Sequence, residues 1–358
     1  MTSNSLALAP AAPHDPTPPG SEGDLRLLRA TVQTYLDEID ELAAKARQTL
    51  ALATRNPAAI AEAVRAAAQR SIPRWHFEML NDSDRNEALI KSIAAVVRPG
   101  DHVLDIGAGS GLLAMVAAQS GASRVITCEA NPLLAEIARQ VIETHGYSDV
   151  ITVLPRWSTD LDADRDLGGR VDLVVSEIVD CGLVGEGLLP SVRHAREHLL
   201  KPGGRMVPDA GRIIGQLVQS TAAVALNHVD TVGGFDISAL NLFATNGHFP
   251  LRTHSRPHTM LSDAALLASF DLHTDPLTDR TSRVALSVAD DGIAHGLVAW
   301  FELDLCGDET LSNGPGNVAT HWGQAFVAFG RPVAVHAGES LAVAVSWQDG
   351  RLFATPQP

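Results

Sequence analysis

The chain has 358 residues, 45% of them hydrophobic, with 27 basic against 42 acidic side chains and a formal net charge of -15. That length predicts two domains with appendages, and the acidic balance argues against a nucleic-acid partner, because phosphate backbones would be repelled. Cys128, Cys181 and Cys306 are far apart and form no CxxC pair, so neither a disulfide framework nor a metal site is expected, and with no long apolar run the reading is a cytoplasmic protein without a membrane span.

Residues 1 to 23 carry five prolines and little apolar periodicity, which predicts a disordered tail. From Asp24, apolar residues recur at three- and four-residue steps: Leu25, Leu28, Val32, Leu36 and Ile39. That spacing predicts a helix, Asn56-Pro57 interrupts it, and a second, alanine-rich helix near 58 to 70 completes a hairpin. From 71 to 207 short apolar strands alternate with helices: 102 to 106, 124 to 128, 150 to 154 and 171 to 175 read as strands, with helices after the first two. The pattern predicts a parallel sheet covered on both faces, a Rossmann-like α/β domain. Beyond Pro208 the runs 213 to 218, 282 to 289, 297 to 303 and 340 to 347 read as short alternating strands, which predicts an antiparallel β-barrel over 208 to 358. Residues 227 to 262, with weaker strand signals, are expected to be an insertion or arm.

Two motifs carry chemistry. Gly107, Gly109 and Gly111 follow the first strand and open a helix, the place where a backbone can pass close to a nucleotide-like cofactor, and Glu129 ends the next strand, where an acidic side chain can bond ribose hydroxyls. The Gly-x-Gly-x-Gly spacing departs from that of dinucleotide binders, which favours S-adenosylmethionine over a nicotinamide cofactor. After the strand at 171 to 175 come Glu177 and Glu186, whose carboxylates can each accept a forked pair of N–H bonds and so clamp a guanidinium.

Together with 76 to 86 (His-Phe-Glu-Met-Leu-Asn-Asp-Ser-Asp-Arg-Asn), 103 to 111 and Thr320-His321-Trp322, these motifs resemble the protein arginine methyltransferase family, from about Arg74 to near the C-terminus, and within it the monomethylating branch. The resemblance implies an S-adenosylmethionine site built from His76, Met79, Arg85, Asp105, Gly107, Gly109, Gly111, Glu129, Trp157 and Ser158. In it Arg85 bonds the methionine carboxylate and Met79 lies beside the transferred methyl. It further implies that Glu177 and Glu186 hold the substrate guanidinium, that Asp82 pairs with His321, that Trp322 shapes the pocket, and that 234 to 238 begins a dimerisation arm. The aromatic lid of the family is thin here, since 60 to 80 contain only Trp75 and Phe77 as aromatics. Free L-arginine, in bacterial specialised metabolism, is therefore the expected acceptor of a homodimer, with a peptide arginine as the alternative and an inactive scaffold as a second one.

Overall fold

The structure is a computed structural model that describes residues 22–53 and 57–357. The tail expected over 1 to 23 lies outside the described residues as far as residue 21, and so does the break expected at Asn56. The chain divides into two units, Met1–Ser71 and Ile72–Pro358. In the first, helices α1 (Glu22–Ala53) and α2 (Pro57–Ser71) form the hairpin, and the spaced apolar residues Leu28, Val32, Leu36 and Ile39 are exposed along α1.

The second unit opens with α3 (Trp75–Leu80) and α4 (Ser83–Val96). Asp82 ends the turn between them and caps α4, its Oδ1 accepting from the Arg85 N–H at 3.1 Å, a bond that satisfies one of the helix's free amides. Then come β1 (His102–Ile106), α5 (Leu112–Gln119), β2 (Arg124–Cys128), α6 (Pro132–Thr144), β3 (Ile151–Leu154), β4 (Val171–Ser176), α7 (Leu188–His194) and β5 (Leu200–Val207). The strands form an all-parallel sheet in the order β3-β2-β1-β4-β5. β1 and β4 are buried along almost their whole length, which is why they read as unbroken apolar runs. Helix α6 starts where Asn131 accepts from the Leu133 and Leu134 N–H groups, with Pro132 at its first position.

The remaining strands are β6 (Ala210–Gln219), β7 (Thr231–Val232), β8 (Phe235–Asp236), β9 (Phe249–Leu251), β10 (Thr259–Met260), β11 (Ala265–Asp271), β12 (Arg280–Ser287), β13 (Gly292–Cys306), β14 (Glu309–Ser312), β15 (Gln324–Val335), β16 (Ser340–Gln348) and β17 (Arg351–Pro356). A seven-stranded antiparallel sheet runs β10-β6-β13-β15-β9, with β11 added on β6 and β14 on β13, beside a three-stranded β12-β16-β17 sheet. Together they make the barrel-like half. One apolar core joins it to the parallel sheet, from Leu104 and Val174 through Leu183 to Leu303 and Trp347. Within 227 to 262, β9 pairs with β15 and β10 with β6, so those strands belong to the sheet; the β7–β8 hairpin and the turn of helix at Ser238–Phe243 lie off it.

Candidate active site

Where the C-terminal ends of β1, β2 and β4 face the barrel, a cavity of about 510 Å³ opens. Its walls include His76, Met79, Arg85, Gly107, Gly109, Glu129, Trp157, Ser158, Glu177, Glu186, His321 and Trp322. The sequence motifs, spread over more than two hundred positions, therefore meet in one place. Asp105, Gly111 and Asp82 stand behind the wall rather than in it.

The glycine loop is built differently from an anion cradle. The N–H groups of Gly107 and Ala108 both donate to the Cys128 carbonyl, at 3.0 and 2.9 Å, and that of Gly109 donates to Glu129 Oε2 at 3.1 Å. The N–H groups of Gly107, Ala108 and Gly109 are thus used inside the protein rather than turned to an anion, which suits a cofactor without a pyrophosphate. Gly107 has φ of +92°, and a Cβ there would meet Ile178 Cγ2 at 2.6 Å, so glycine is required by both conformation and space. Glu129 is fixed at the cavity wall by two backbone donors, its Oε1 also accepting from Asn131 N at 2.9 Å. Each carboxylate oxygen keeps a lone pair for a hydroxyl.

Asp105 does not line the cavity as the family pattern implied; it is buried beneath the loop. Its Oδ2 accepts from Thr127 Oγ1 at 2.7 Å while Oδ1 has no partner. Burial, with Glu129 adding like charge, pushes its carboxyl up to about 7. Trp157 is an exposed part of the cavity wall, and Ser158 Oγ donates to Ser191 Oγ at 3.0 Å.

On the other side, Glu177 follows β4 and is 3% exposed, against Arg85 at 5%. Arg85 Nε donates to Glu177 Oε2 at 2.8 Å and Nη2 donates to the same oxygen. Burial pushes the Glu177 carboxyl up and the Arg85 guanidinium draws it back. The Arg85 expected on the cofactor thus rests on the first glutamate of the expected clamp, a contact the sequence reading lacked. Glu186 is exposed to the cleft. Desolvation there, followed by the like charges of Glu177 and Asp180, pushes its carboxyl up to about 7.

Below them Asp82 Oδ2 accepts from His321 N and from His321 Nδ1, both at 2.9 Å. Despite burial, these bonds and that from Arg85 N hold the Asp82 carboxyl below its usual range. Burial holds the His321 imidazole below its own, with Arg85 and Arg252 adding to the effect against Asp82. With Nδ1 donating to Asp82, Nε2 of the neutral ring keeps its lone pair. The carboxylate that caps α4 and the one that holds His321 are one and the same.

The loop 177 to 186 is tied to the barrel at successive residues. Trp322 Nε1 donates to the Val179 carbonyl at 3.1 Å, His248 Nε2 donates to Asp180, and Asn313 Nδ2 donates to the Cys181 carbonyl at 2.9 Å. Asn313, wholly buried, also donates to the Gly323 carbonyl at 2.7 Å and accepts from Phe301 N at 2.7 Å, joining the double-glutamate loop to Thr320-His321-Trp322. Burial, with the Asp180 and Glu186 charges adding to it, raises the Cys181 thiol well above the usual value, so it packs as a protonated thiol. His248, Asn313 and Trp75, whose ring stacks on His76 at 3.9 Å, were not found by sequence reasoning as site residues.

The model of the arginine methyltransferase oligomerization subdomain matches residues 216–352, and that of the ribosomal protein L11 methyltransferase matches 87–208. The chain is 52% identical over 339 residues to an arginine N(omega)-methyltransferase of Streptomyces achromogenes subsp. streptozoticus, covering 95% of this chain and 94% of that protein. It is 30% identical over 301 residues to a probable protein arginine N-methyltransferase 3 of Oryza sativa subsp. indica, covering 75% of this chain and 48% of that one. Among solved structures it is similar to the Trypanosoma brucei PRMT1 enzyme–prozyme heterotetrameric complex with AdoHcy, with a TM-score of 0.67, 26% identity, and coverage of 79% of this chain and 93% of that one. With both halves of the cavity built from its motifs and an end-to-end relative at this identity, the chain belongs to the arginine methyltransferase family.

Proposed function

We propose that the protein is an S-adenosylmethionine-dependent methyltransferase that places one methyl on an ω-nitrogen of free L-arginine. The observation that carries this is the acidic cavity in which Glu177, Glu186 and the Asp82–His321 pair converge beside the glycine loop. The relative that spans nearly the whole chain is named for arginine, while the one named for protein arginine is matched over half its length, and this supports the free amino acid over a peptide.

His76, Met79, Arg85, Gly107, Gly109, Glu129, Trp157 and Ser158 would hold the donor, with Glu129 at its ribose. When bound, the donor supplies an electrophilic methyl on a sulfonium. A guanidinium has a pKa above about 12, so it offers no free lone pair at neutral pH. Carboxylates bonded along one side of it draw positive charge toward those N–H groups and leave the remaining terminal nitrogen more nucleophilic, while fixing its direction of approach. Glu186, which among the described residues has no ion pair to a cation, is the carboxylate available to a substrate. Glu177 shares its charge with Arg85 and aligns the inner side. The proton released has two acceptors within the cavity, the Glu186 carboxylate and His321 Nε2.

Exposed Phe235, Leu242 and Phe243 on the off-sheet segment, within the region matching the oligomerization subdomain, support a homodimer. Among the described residues no helix is long and apolar enough to cross a membrane. The test of function is purified protein with labelled donor, offered free L-arginine and an arginine-rich peptide in parallel, with products weighed by mass spectrometry. Monomethylated free arginine is expected. Methylation of the peptide alone would overturn the free-arginine reading, and methylation of neither would remove the arginine assignment.

A further inference from the structure

Between the two glutamates the loop closes around a third carboxylate. Asp180 Oδ1 accepts from Gly182 N at 3.1 Å and from Gly185 N at 2.8 Å, so the backbone on both sides of Leu183 is drawn onto one side chain, ending one residue before Glu186. Asp180 Oδ2 accepts from His248 Nε2, and His248 is buried. The ring's other nitrogen, Nδ1, accepts from Leu352 N at 3.0 Å, which fixes the proton on Nε2 and aims it at Asp180. Space enforces the same arrangement. A Cβ on Gly182 would lie 2.6 Å from His248 Nε2, and one on Gly185 would run into the Asp180 carboxylate.

Asp180, Cys181 and His248 place their ligand atoms within 4.8 Å of one another, the spacing of a metal site. The hydrogen-bond pattern argues against that use. A cation on Nε2 would displace the proton that the Leu352 contact holds there, and the Cys181 thiol is kept protonated by its surroundings. The cluster is a strut, and it joins the loop to the start of β9 and the start of β17.

We propose that Asp180 and His248 are positioning residues: Asp180 folds the loop so that Glu186 faces the acceptor guanidinium, and His248 locks that fold to the barrel. The proposal rests on Glu186 being the acceptor carboxylate. Asp180 also tunes it, since its charge is one of those that raise the Glu186 carboxyl. Neither residue needs to touch substrate.

The experiment compares full-length His248→Phe, His248→Gln and Asp180→Asn with wild type and Glu186→Gln, using whichever of free L-arginine or the peptide wild type methylates. His248→Phe fills the space without either hydrogen bond. It is expected to raise the arginine KM about tenfold, the scale of a lost hydrogen bond to a charged group, while the donor Kd stays within about twofold. His248→Gln, which can donate from the position of Nε2, is expected to recover most of that loss. Asp180→Asn removes a like charge near Glu186, so the acid limb of kcat/KM against pH is expected to move down by about half a unit, a readout that loop packing alone would not shift. An unchanged arginine KM in His248→Phe, equal loss of donor and arginine binding, no recovery in His248→Gln, or an unmoved acid limb in Asp180→Asn would each overturn the pair. Full activity in Glu186→Gln would instead overturn the reading beneath it.

Discussion

The two glutamates that flank the loop are held in opposite ways. Glu177 continues from β4, is almost wholly buried, and is bonded to Arg85, itself on α4 behind the Asp82 cap. Glu186 stands at the far end of a turn, in the wall of the cavity, with two acids near and, among the described residues, no ion pair to a cation. One carboxylate is part of the framework and the other is poised to change its charge. On the proposed function, one fixed and one adjustable jaw would let a clamp bind a cation and still take up a proton.

The sharpest way to break this comparison is Glu177→Gln. It leaves the Arg85 guanidinium buried without its partner, a defect that costs roughly 3 to 5 kcal/mol, so a clear fall in Tm in thermal melts and weaker donor binding are expected along with lost turnover. A Tm equal to wild type would place Glu177 outside the framework. Next comes pH. With its carboxyl pushed up to about 7, Glu186 gains charge through neutral pH in the free enzyme, so kcat/KM for arginine is expected to rise as pH climbs through that value. The kcat profile should show the limb at lower pH, because a bound guanidinium stabilises the carboxylate. A flat profile between pH 6 and 8 would contradict the raised value. Trp322→Phe keeps a ring against Phe301, which it meets edge-on at 5.0 Å, but loses the bond to the Val179 carbonyl. A fall in kcat of about three- to tenfold is expected, in line with one hydrogen bond of about 1 kcal/mol. The smallest effect is Trp157→Ala, expected to raise the donor KM by about threefold with the arginine KM unchanged, since the ring is an exposed part of the cavity wall.

Much of the parallel sheet was legible because β1, β2 and β4 are buried along almost their whole length, and β1 and β2 fall where the apolar runs do; β3 and β5 carry exposed positions and read less plainly. The barrel was read less sharply. The strand expected at 297 to 303 extends over Gly292–Cys306, because it pairs with β6, β14 and β15 and passes a register shift between Ala294 and Gly296 that breaks the alternation. In the site, the glutamates, Arg85, Glu129 and Thr320-His321-Trp322 were visible as motifs. The inner support was not. His248 is a single histidine 68 positions from Asp180, in a segment without pattern, and Asn313 sits in a Ser-Asn-Gly-Pro-Gly stretch that reads as any turn. Both act by burial and long-range hydrogen bonds, which leave no spacing in the chain. The bonding of the glycine-loop amides left no sign in the chain for a related reason: whether an N–H is free depends on the next strand's carbonyl, here that of Cys128.

The most direct measurement is steady-state kinetics and donor binding on Glu186→Gln. Its kcat/KM for the acceptor is expected to fall by more than about a hundredfold, since an electrostatic contact of this kind is worth roughly 3 to 4 kcal/mol, while donor Kd and Tm match wild type. Turnover retained to within a few fold, with arginine as acceptor, would contradict the guanidinium clamp.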